Sequence, residues 1–395
     1  MLARMPENYG GFGASRQRSI YLAGPTAPIS RVPVGMDELE NGARSVLGPP
    51  VFDYVAGAAG GERTARHNIA EFERWHLIPR MLRDVHERDT RVELFGKSLP
   101  APVLFAPVGA LEAVRPEGDL AVARASVATG VPMVASTLTT RSLEEIAAVT
   151  GSAPHWFQLY WGPDRDLNLS LVQRAEKAGY SALVVTLDTR IIGWRHRDIA
   201  RAYLPFLGGI GLGNYFSDPV FRSRLERPPE EDLPAAVLRA VGMIGDLTFS
   251  WADIRFLSER TAMPIVVKGI LHPQDAVDAM EAGANGLIVS NHGGRQLDGS
   301  IPSLRALPKV MEEAGTRIPV LLDGGIRSGA DIAKALALGA RAVLIGRPYV
   351  WGLAIDGEYG VKQVTENLLA DFDLTLALLG LTKPAELTRD TIVAA

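Results

Sequence analysis

The chain contains no cysteine. This excludes disulfides, thiolate metal sites, iron–sulfur clusters and cysteine nucleophiles, although it does not fix the compartment. No uninterrupted apolar run approaches the roughly 20 residues of a spanning helix, so no membrane partner is expected. A strong charge of one sign is also missing. Lys+Arg 41 against Asp+Glu 45 leave a net charge of −4, which provides no electrostatic footprint for nucleic acid. Met1 to Ser15 lack an apolar signal core, and Ile392 to Ala395 carry no retention or peroxisomal address; the location read from this is cytoplasmic. A dinucleotide fingerprint is missing too. Gly208-Gly209-Ile210-Gly211-Leu212-Gly213 is glycine-rich but lies outside a strand–turn–helix context and does not fit G-x-G-x-x-G.

What is present is a rhythm. In 395 residues, 47% hydrophobic and 22% charged, eight short apolar runs recur from Pro102 onward. They are Val103–Ala106, Met133–Ala135, Trp156–Leu159, Leu183–Leu187, Ile265–Val267, Leu287–Val289, Val320–Leu322 and Val343–Ile345. Runs this short, rich in β-branched residues and bounded by Gly and Pro, read as strands buried on both faces. Helical spacing lies between most of them, with Gly179, Gly283 and Gly339 closing three of the helices. Ser142-Leu-Glu-Glu145 has the spacing of a capping box. Eight strand–helix units predict an α/β fold, a (β/α)8 TIM barrel, with a doubly wound open sheet as runner-up. Residues 1–100 read as an N-terminal extension: an extended arm over 1–35, short helices at Met36–Leu47, Phe52–Ala59 and Glu62–Phe72, then a hairpin from Arg91. The barrel is placed at 101–395. Its one irregular interval, 197–262, holds Pro205, Pro219, Pro228, Pro229 and Pro234 and reads as a lid over the active face.

Barrel chemistry collects at the carboxyl ends of the strands, so those positions form one set. They are Pro107-Val108-Gly109, Ser136, Gln158 with Tyr160, Thr186 with Asp188, Lys268, Ser290 with His292, Asp323-Gly324-Gly325 with Arg327, and Gly346-Arg347. The glycine-opened loops after strands seven and eight, with Arg327 and Arg347, suit a phosphate. Lys268 ends an apolar run, and its cation can stabilise negative charge developing on a bound ring system. An imidazole at His292 beside a carboxylate at Asp188 makes a general base. Arg195 and Arg295 suit a small carboxylate, and Tyr54 and Tyr160 offer hydroxyls. No metal-ligand cluster is expected.

Ser290-Asn-His-Gly-Gly-Arg-Gln296, Leu322-Asp-Gly-Gly-Ile-Arg327, Val267-Lys-Gly269, Phe157-Gln-Leu-Tyr160 and Thr186-Leu-Asp-Thr189 together resemble the FMN-dependent 2-hydroxy acid oxidase and dehydrogenase family, from about Tyr54 to the C-terminus. The resemblance implies His292 as the base paired with Asp188, with Tyr54, Arg195 and Arg295 on the substrate carboxylate. It further implies Tyr160 on the substrate oxygen, and Lys268 beside the flavin ring. Pro107, Val108, Gly109, Ser136, Gln158, Thr186, Ser290, Asp323, Gly324, Gly325, Arg327, Gly346 and Arg347 would bind FMN. Tyr54-Val-Ala-Gly57, Gly193-Trp-Arg-x-Arg-Asp198, Asn214-Tyr-x-x-Asp-Pro-Val-Phe221 and Gly346-Arg-Pro-Tyr-x-Trp-Gly352 are similar to the family's lactate 2-monooxygenase branch. So are Gly109, where the oxidases usually have alanine, and Leu138. The branch implies L-lactate and O2 going to acetate, CO2 and water. An oxidase releasing keto acid and H2O2 from lactate or a mandelate-like acid, or a dehydrogenase with another acceptor, is the alternative. A homotetramer or homo-octamer is implied as well. Around Glu226 to Val241 the chain departs from the family pattern.

Overall fold

The computed structural model describes residues 10–24 and 32–395. Eight parallel strands close into a barrel in chain order: β1 (Val103–Phe105), β2 (Met133–Ser136), β3 (His155–Tyr160), β4 (Leu183–Thr186), β5 (Ile265–Ile270), β6 (Gly286–Val289), β7 (Val320–Asp323) and β8 (Ala342–Ile345). β8 pairs back onto β1, with Val343 opposite Val103 and Ile345 opposite Phe105. That pairing is the closure an open doubly wound sheet lacks.

Strand side chains alternate between two faces, and here the alternation sorts two cores. Val103, Phe105, Met133, Ala135, Phe157, Leu159, Val185 and Val267 face the outer helices. Leu104, Val134, Trp156, Val184, Val266, Ile288, Leu321 and Leu344 fill the inside. A hairpin of Val92–Leu94 and Lys97–Leu99 inserts Val92, Leu94, Leu99 and Phe95 into that inner cluster, closing the amino-terminal end. β5 carries an irregularity between Lys268 and Ile270, where Gly269 has φ 114. A side chain there would lie 2.9 Å from the Asp188 Cβ, so glycine is what lets β5 approach the loop after β4.

The N-terminal extension differs from its sequence reading at one point. The extended arm expected over 1–35 contains a helix, α1 (Gly11–Ala23); residues 1–9 and 25–31 lie outside the described residues. Local pattern is weak in α1, and the helix is held by tertiary partners on Arg347–Leu379. Gly13 N donates to Asp373 Oδ2 at 2.8 Å, and Arg16 reaches Gln363 and Asn367. Then follow α2 (Met36–Val46), α3 (Pro49–Ala56) and α4 (Arg63–Ala70), near the expected limits. α3 starts on prolines, which suit a first turn, and it carries Tyr54.

The interval after β4 is built of short helical turns: His196–Ala200, Pro205–Gly208, Gly213–Phe216, Pro219–Ser223 and Leu233–Val241. Three of the five prolines that read as loop breakers, Pro205, Pro219 and Pro234, sit instead at helix starts, while Pro228 and Pro229 lie in a turn. Trp251–Ser258 has a capping box and buries Ile254 and Leu257; it is the crossover helix that a parallel β4–β5 connection needs, so the addition ends before it.

Candidate active site

One step beyond the inner apolar layer, the same strand period places a polar layer at the carboxyl end: Ser136, Gln158, Thr186, Lys268, Ser290 and Asp323. Ser136 Oγ donates to Gln158 Oε1 at 3.0 Å. Lys268 Nζ donates to Ser290 Oγ at 2.9 Å and pairs with Asp323 Oδ2 at 3.3 Å and Asp188 Oδ2 at 3.9 Å. Burial works against the ammonium, but Asp323 and Asp188 outweigh it and raise its pKa. Gln158 Nε2, Thr186 Oγ1 and Asp323 Oδ1 are buried without a hydrogen-bond partner among the described residues. Leaving such groups unpaired costs roughly 1–3 kcal/mol each, which marks this layer as the floor of a polar-edged ligand.

Above the floor stands His292, held at φ 58, a left-handed conformation uncommon outside glycine. The turn is fixed from both sides. His292 N donates to Ser290 Oγ at 3.0 Å, and Asn291 Oδ1 accepts from Gly294 N at 3.1 Å. His292 Nδ1 lies 2.7 Å from Asp188 Oδ1 and 3.3 Å from Thr189 Oγ1; Nε2 lies 3.5 Å from the Tyr160 hydroxyl. Burial lowers the His292 pKa, Asp188 opposes this, and the cations of Lys268 and Arg195 add to the lowering. Asp188 is opposed by burial but drawn down to about 2 by His292 and Lys268. An ionised carboxylate on Nδ1 requires Nδ1–H, which leaves Nε2 as a free lone pair facing the cleft. Burial pushes the Tyr160 phenol up to about 12, so it stays a donor.

Two guanidiniums flank this base. Arg295 Nη1 donates to the Tyr54 and Gly57 carbonyls at 2.7 and 2.6 Å, and its guanidinium lies 5.1 Å from the Tyr54 ring centre. Arg195 Nε donates to the Arg295 carbonyl at 3.1 Å. Burial and the Arg195 charge pull Arg295 down to about 10. Further along the cleft, Arg347 donates to the carbonyls of Val55, Gly293 and Gly57; burial with Arg295 and Arg327 pulls it down to about 9. Among the described residues, Arg295, Arg327 and Arg347 form no ion pair. Clustered cations with no carboxylate at ion-pair distance among the described residues are a place for anions.

These groups share one cleft with about 1270 Å³ of empty space. It is lined by Tyr54, Pro107, Val108, Gly109, Tyr160, Arg195, Lys268, His292, Arg295, Asp323, Gly324, Gly325, Arg327, Gly346 and Arg347. Ser136, Gln158, Thr186, Asp188 and Ser290 lie beneath its surface in the polar layer. Sequence reasoning missed Thr189, Ile192, Phe206 and Ile244 of the interval after β4, and Asn68. Asn68 exchanges amide hydrogen bonds with Asn291 at 2.7 and 2.8 Å. No local signal marks α4 as part of a barrel mouth. Gly109 has a packing reason: an added Cβ would lie 2.8 Å from the Leu138 Cβ.

A closed barrel whose strand ends carry a buried base, a carboxylate partner, paired arginines and an anion-ready loop defines an enzyme of the (β/α)8 class. The sequence profile of FMN-dependent dehydrogenases matches residues 43–394, and the chain belongs to that family. It is 42% identical to an L-lactate oxidase of Lysinibacillus sphaericus, across 91% of this chain and 93% of the relative. It is 41% identical to an FMN-dependent alpha-hydroxy acid dehydrogenase of Penicillium citrinum, across 98% and 96%. A crystal structure of mandelate oxidase with benzoyl-formic acid superposes with a TM-score of 0.81 at 38% identity, covering 92% of this chain and 99% of that one. The protein is an FMN-dependent 2-hydroxy acid oxidoreductase. The unpartnered Gln158 and Thr186 groups, Lys268 and the uncompensated Arg327 and Arg347 fit the polar ring edge and phosphate of FMN. These relatives are named oxidases and dehydrogenases. That corrects the emphasis on a monooxygenase and favours the oxidase alternative.

Proposed function

We propose that the protein is a 2-hydroxy acid oxidase that converts an (S)-2-hydroxy acid with an uncharged side chain, L-lactate foremost, and O2 to the keto acid and H2O2. The observation that carries this reading is the His292–Asp188 pair at 2.7 Å, with Nε2 3.5 Å from the Tyr160 hydroxyl in the cleft that Arg195 and Arg295 also line. FMN, when bound, supplies a two-electron acceptor that oxygen can reoxidise. Arg195, Arg295 and the Tyr54 hydroxyl hold the substrate carboxylate. Tyr160 donates to the substrate oxygen. His292 Nε2 takes a proton from the substrate, and Asp188 stabilises the resulting imidazolium through Nδ1–H. Lys268 keeps Asp188 ionised and holds positive charge at the floor. Gln158, Thr186, Ser136, Ser290 and Asp323 position the ring, and the loops of Gly324-Gly325-Arg327 and Gly346-Arg347 hold the phosphate. Pro107, Val108 and Gly109 wall one side. Residues 197–250, ahead of the crossover helix, act as the lid, supported by Phe206 and Ile244 in the cleft wall.

His292→Ala is expected to slow reduction of the bound flavin by L-lactate about 10²–10⁴-fold while FMN remains bound. Normal reduction in stopped flow would remove the assignment. Product analysis separates the outcomes: free H2O2 with pyruvate supports the oxidase, acetate with CO2 the monooxygenase. The second reading is favoured by the segment similarities, by Leu138 and by Gly109, and the Leu138 packing gives that glycine an independent cause. An O2-inert, dye-reducible enzyme would be a dehydrogenase. Assembly as a tetramer or octamer and a cytoplasmic location belong to the same proposal, checked by sedimentation and cell fractionation.

A further inference from the structure

The loop after β4 carries Asp188 and Arg195, and the loop after β6 carries His292 and Arg295. Base, acid and both carboxylate-binding cations are therefore divided between two segments that share no strand hydrogen bonds at that height. Beside the His292–Asp188, His292–Thr189 and Arg195–Arg295 contacts, one side chain joins them at four points. Gln296 Nε2 donates to the Asp188 carbonyl at 2.9 Å and to the Ile191 carbonyl at 2.9 Å. Gln296 Oε1 accepts from Arg195 Nη2 at 3.1 Å and from Gly193 N at 3.4 Å. Both amide hydrogens and the carbonyl are thus used, each on the opposite loop. The loops also touch directly: a Cβ at Gly193 would lie within 2.6 Å of the Arg295 carbonyl oxygen, so only glycine permits this approach.

We propose that Gln296 is a positioning residue of the reaction, a clamp that sets Asp188 against His292 and Arg195 against the substrate carboxylate at the same time. It touches neither substrate nor cofactor and acts through those two side chains. The proposal rests on the roles assigned above to His292 and Arg195. Because one amide serves both, its loss has a signature in two otherwise separate quantities. Arg195 governs anion affinity. Asp188 governs the protonation of His292, which also faces Lys268, Arg195 and Tyr160. Loosening Asp188 removes the influence that raises the His292 pKa, while the lowering ones stay.

The test uses FMN-loaded Gln296→Met, which keeps length and loses all four hydrogen bonds. Substrate KM and the Kd of oxalate, a non-reacting carboxylate read by flavin absorbance, are expected to rise on the order of tenfold, the scale of a hydrogen bond to a charged group. The acid limb of kcat/KM moves to lower pH, with flavin content unchanged. In a double variant with Arg195→Lys, the two losses on oxalate binding combine to less than their product. Wild-type KM, oxalate affinity and acid limb, with only a lower Tm, would overturn the proposal and leave a structural role. If the methionine variant does not fold, Gln296→Glu decides. It retains Oε toward Arg195 but loses both donors to the loop, so the acid limb must shift; an unmoved limb overturns the clamp. Failure of the oxidase reading looks different, because wild-type enzyme would then yield acetate and CO2 in place of free H2O2, or leave O2 unconsumed.

Discussion

At the scale of single residues, the site rests on opposing influences on a few buried groups. His292 is drawn toward neutrality by burial and by two nearby cations, with Asp188 pulling the other way. Catalysis needs the neutral imidazole, so kcat/KM should fall only as pH drops through a value below the ordinary histidine value of about 6.5. Asp188→Asn is expected to shift that limb further down, since the raising partner is gone. It should also cut flavin reduction about 10²–10⁴-fold, because an amide no longer demands Nδ1–H. A pH profile of stopped-flow reduction measures both. Asp198 is a further buried carboxylate, 3.8 Å from Arg195, with neither oxygen hydrogen-bonded. Burial raises its pKa.

Elements decide how those residues meet. The polar layer follows from β-strand period alone: two residues beyond Val134, Trp156, Val184, Val266, Ile288 and Leu321 come Ser136, Gln158, Thr186, Lys268, Ser290 and Asp323. The additions obey contacts rather than local pattern. α1 is tied down through Asp373, which accepts from Gly13 N and pairs with Arg88 at 2.7 Å while nearly fully buried. Asp373→Ala leaves Arg88 buried and unpaired. It should cost about 3–5 kcal/mol, seen as a lower urea midpoint, and it should loosen α1 before the barrel, seen as faster hydrogen exchange over 11–23.

For the whole molecule, the cleft is a stability element as well as a reactive one. Arg295, Arg327 and Arg347 stand half-buried in one cleft with no ion pair among the described residues, and their proximity disfavours the fold until an anion arrives. Removing FMN should therefore lower Tm. Saturation at a hundred times Kd is worth about 2.7 kcal/mol by mass action. Inorganic phosphate alone should restore part of the shift, and Arg347→Met should abolish that part. Thermal unfolding of apoenzyme with and without phosphate reads this directly.

Strand number, strand ends and most residues of the cleft and its floor were legible in the sequence, because buried parallel strands are short apolar runs and their termini are where polarity returns. The capping box at Ser142–Glu145 was legible for the same local reason, and both of its hydrogen bonds are present. Helix α1, the helical character of the interval after β4, and the entry of Asn68, Thr189 and Phe206 into the mouth were not. Each depends on partners hundreds of residues away or on a loop's path, and no periodicity encodes that. Tertiary structure alone also decided that Leu138 accounts for Gly109 and that Gln296 spans two loops. Sequence spacing states which groups exist at the barrel mouth; only closure of the sheet sets their distances, and distance is what turns an imidazole, a carboxylate and two guanidiniums into one site.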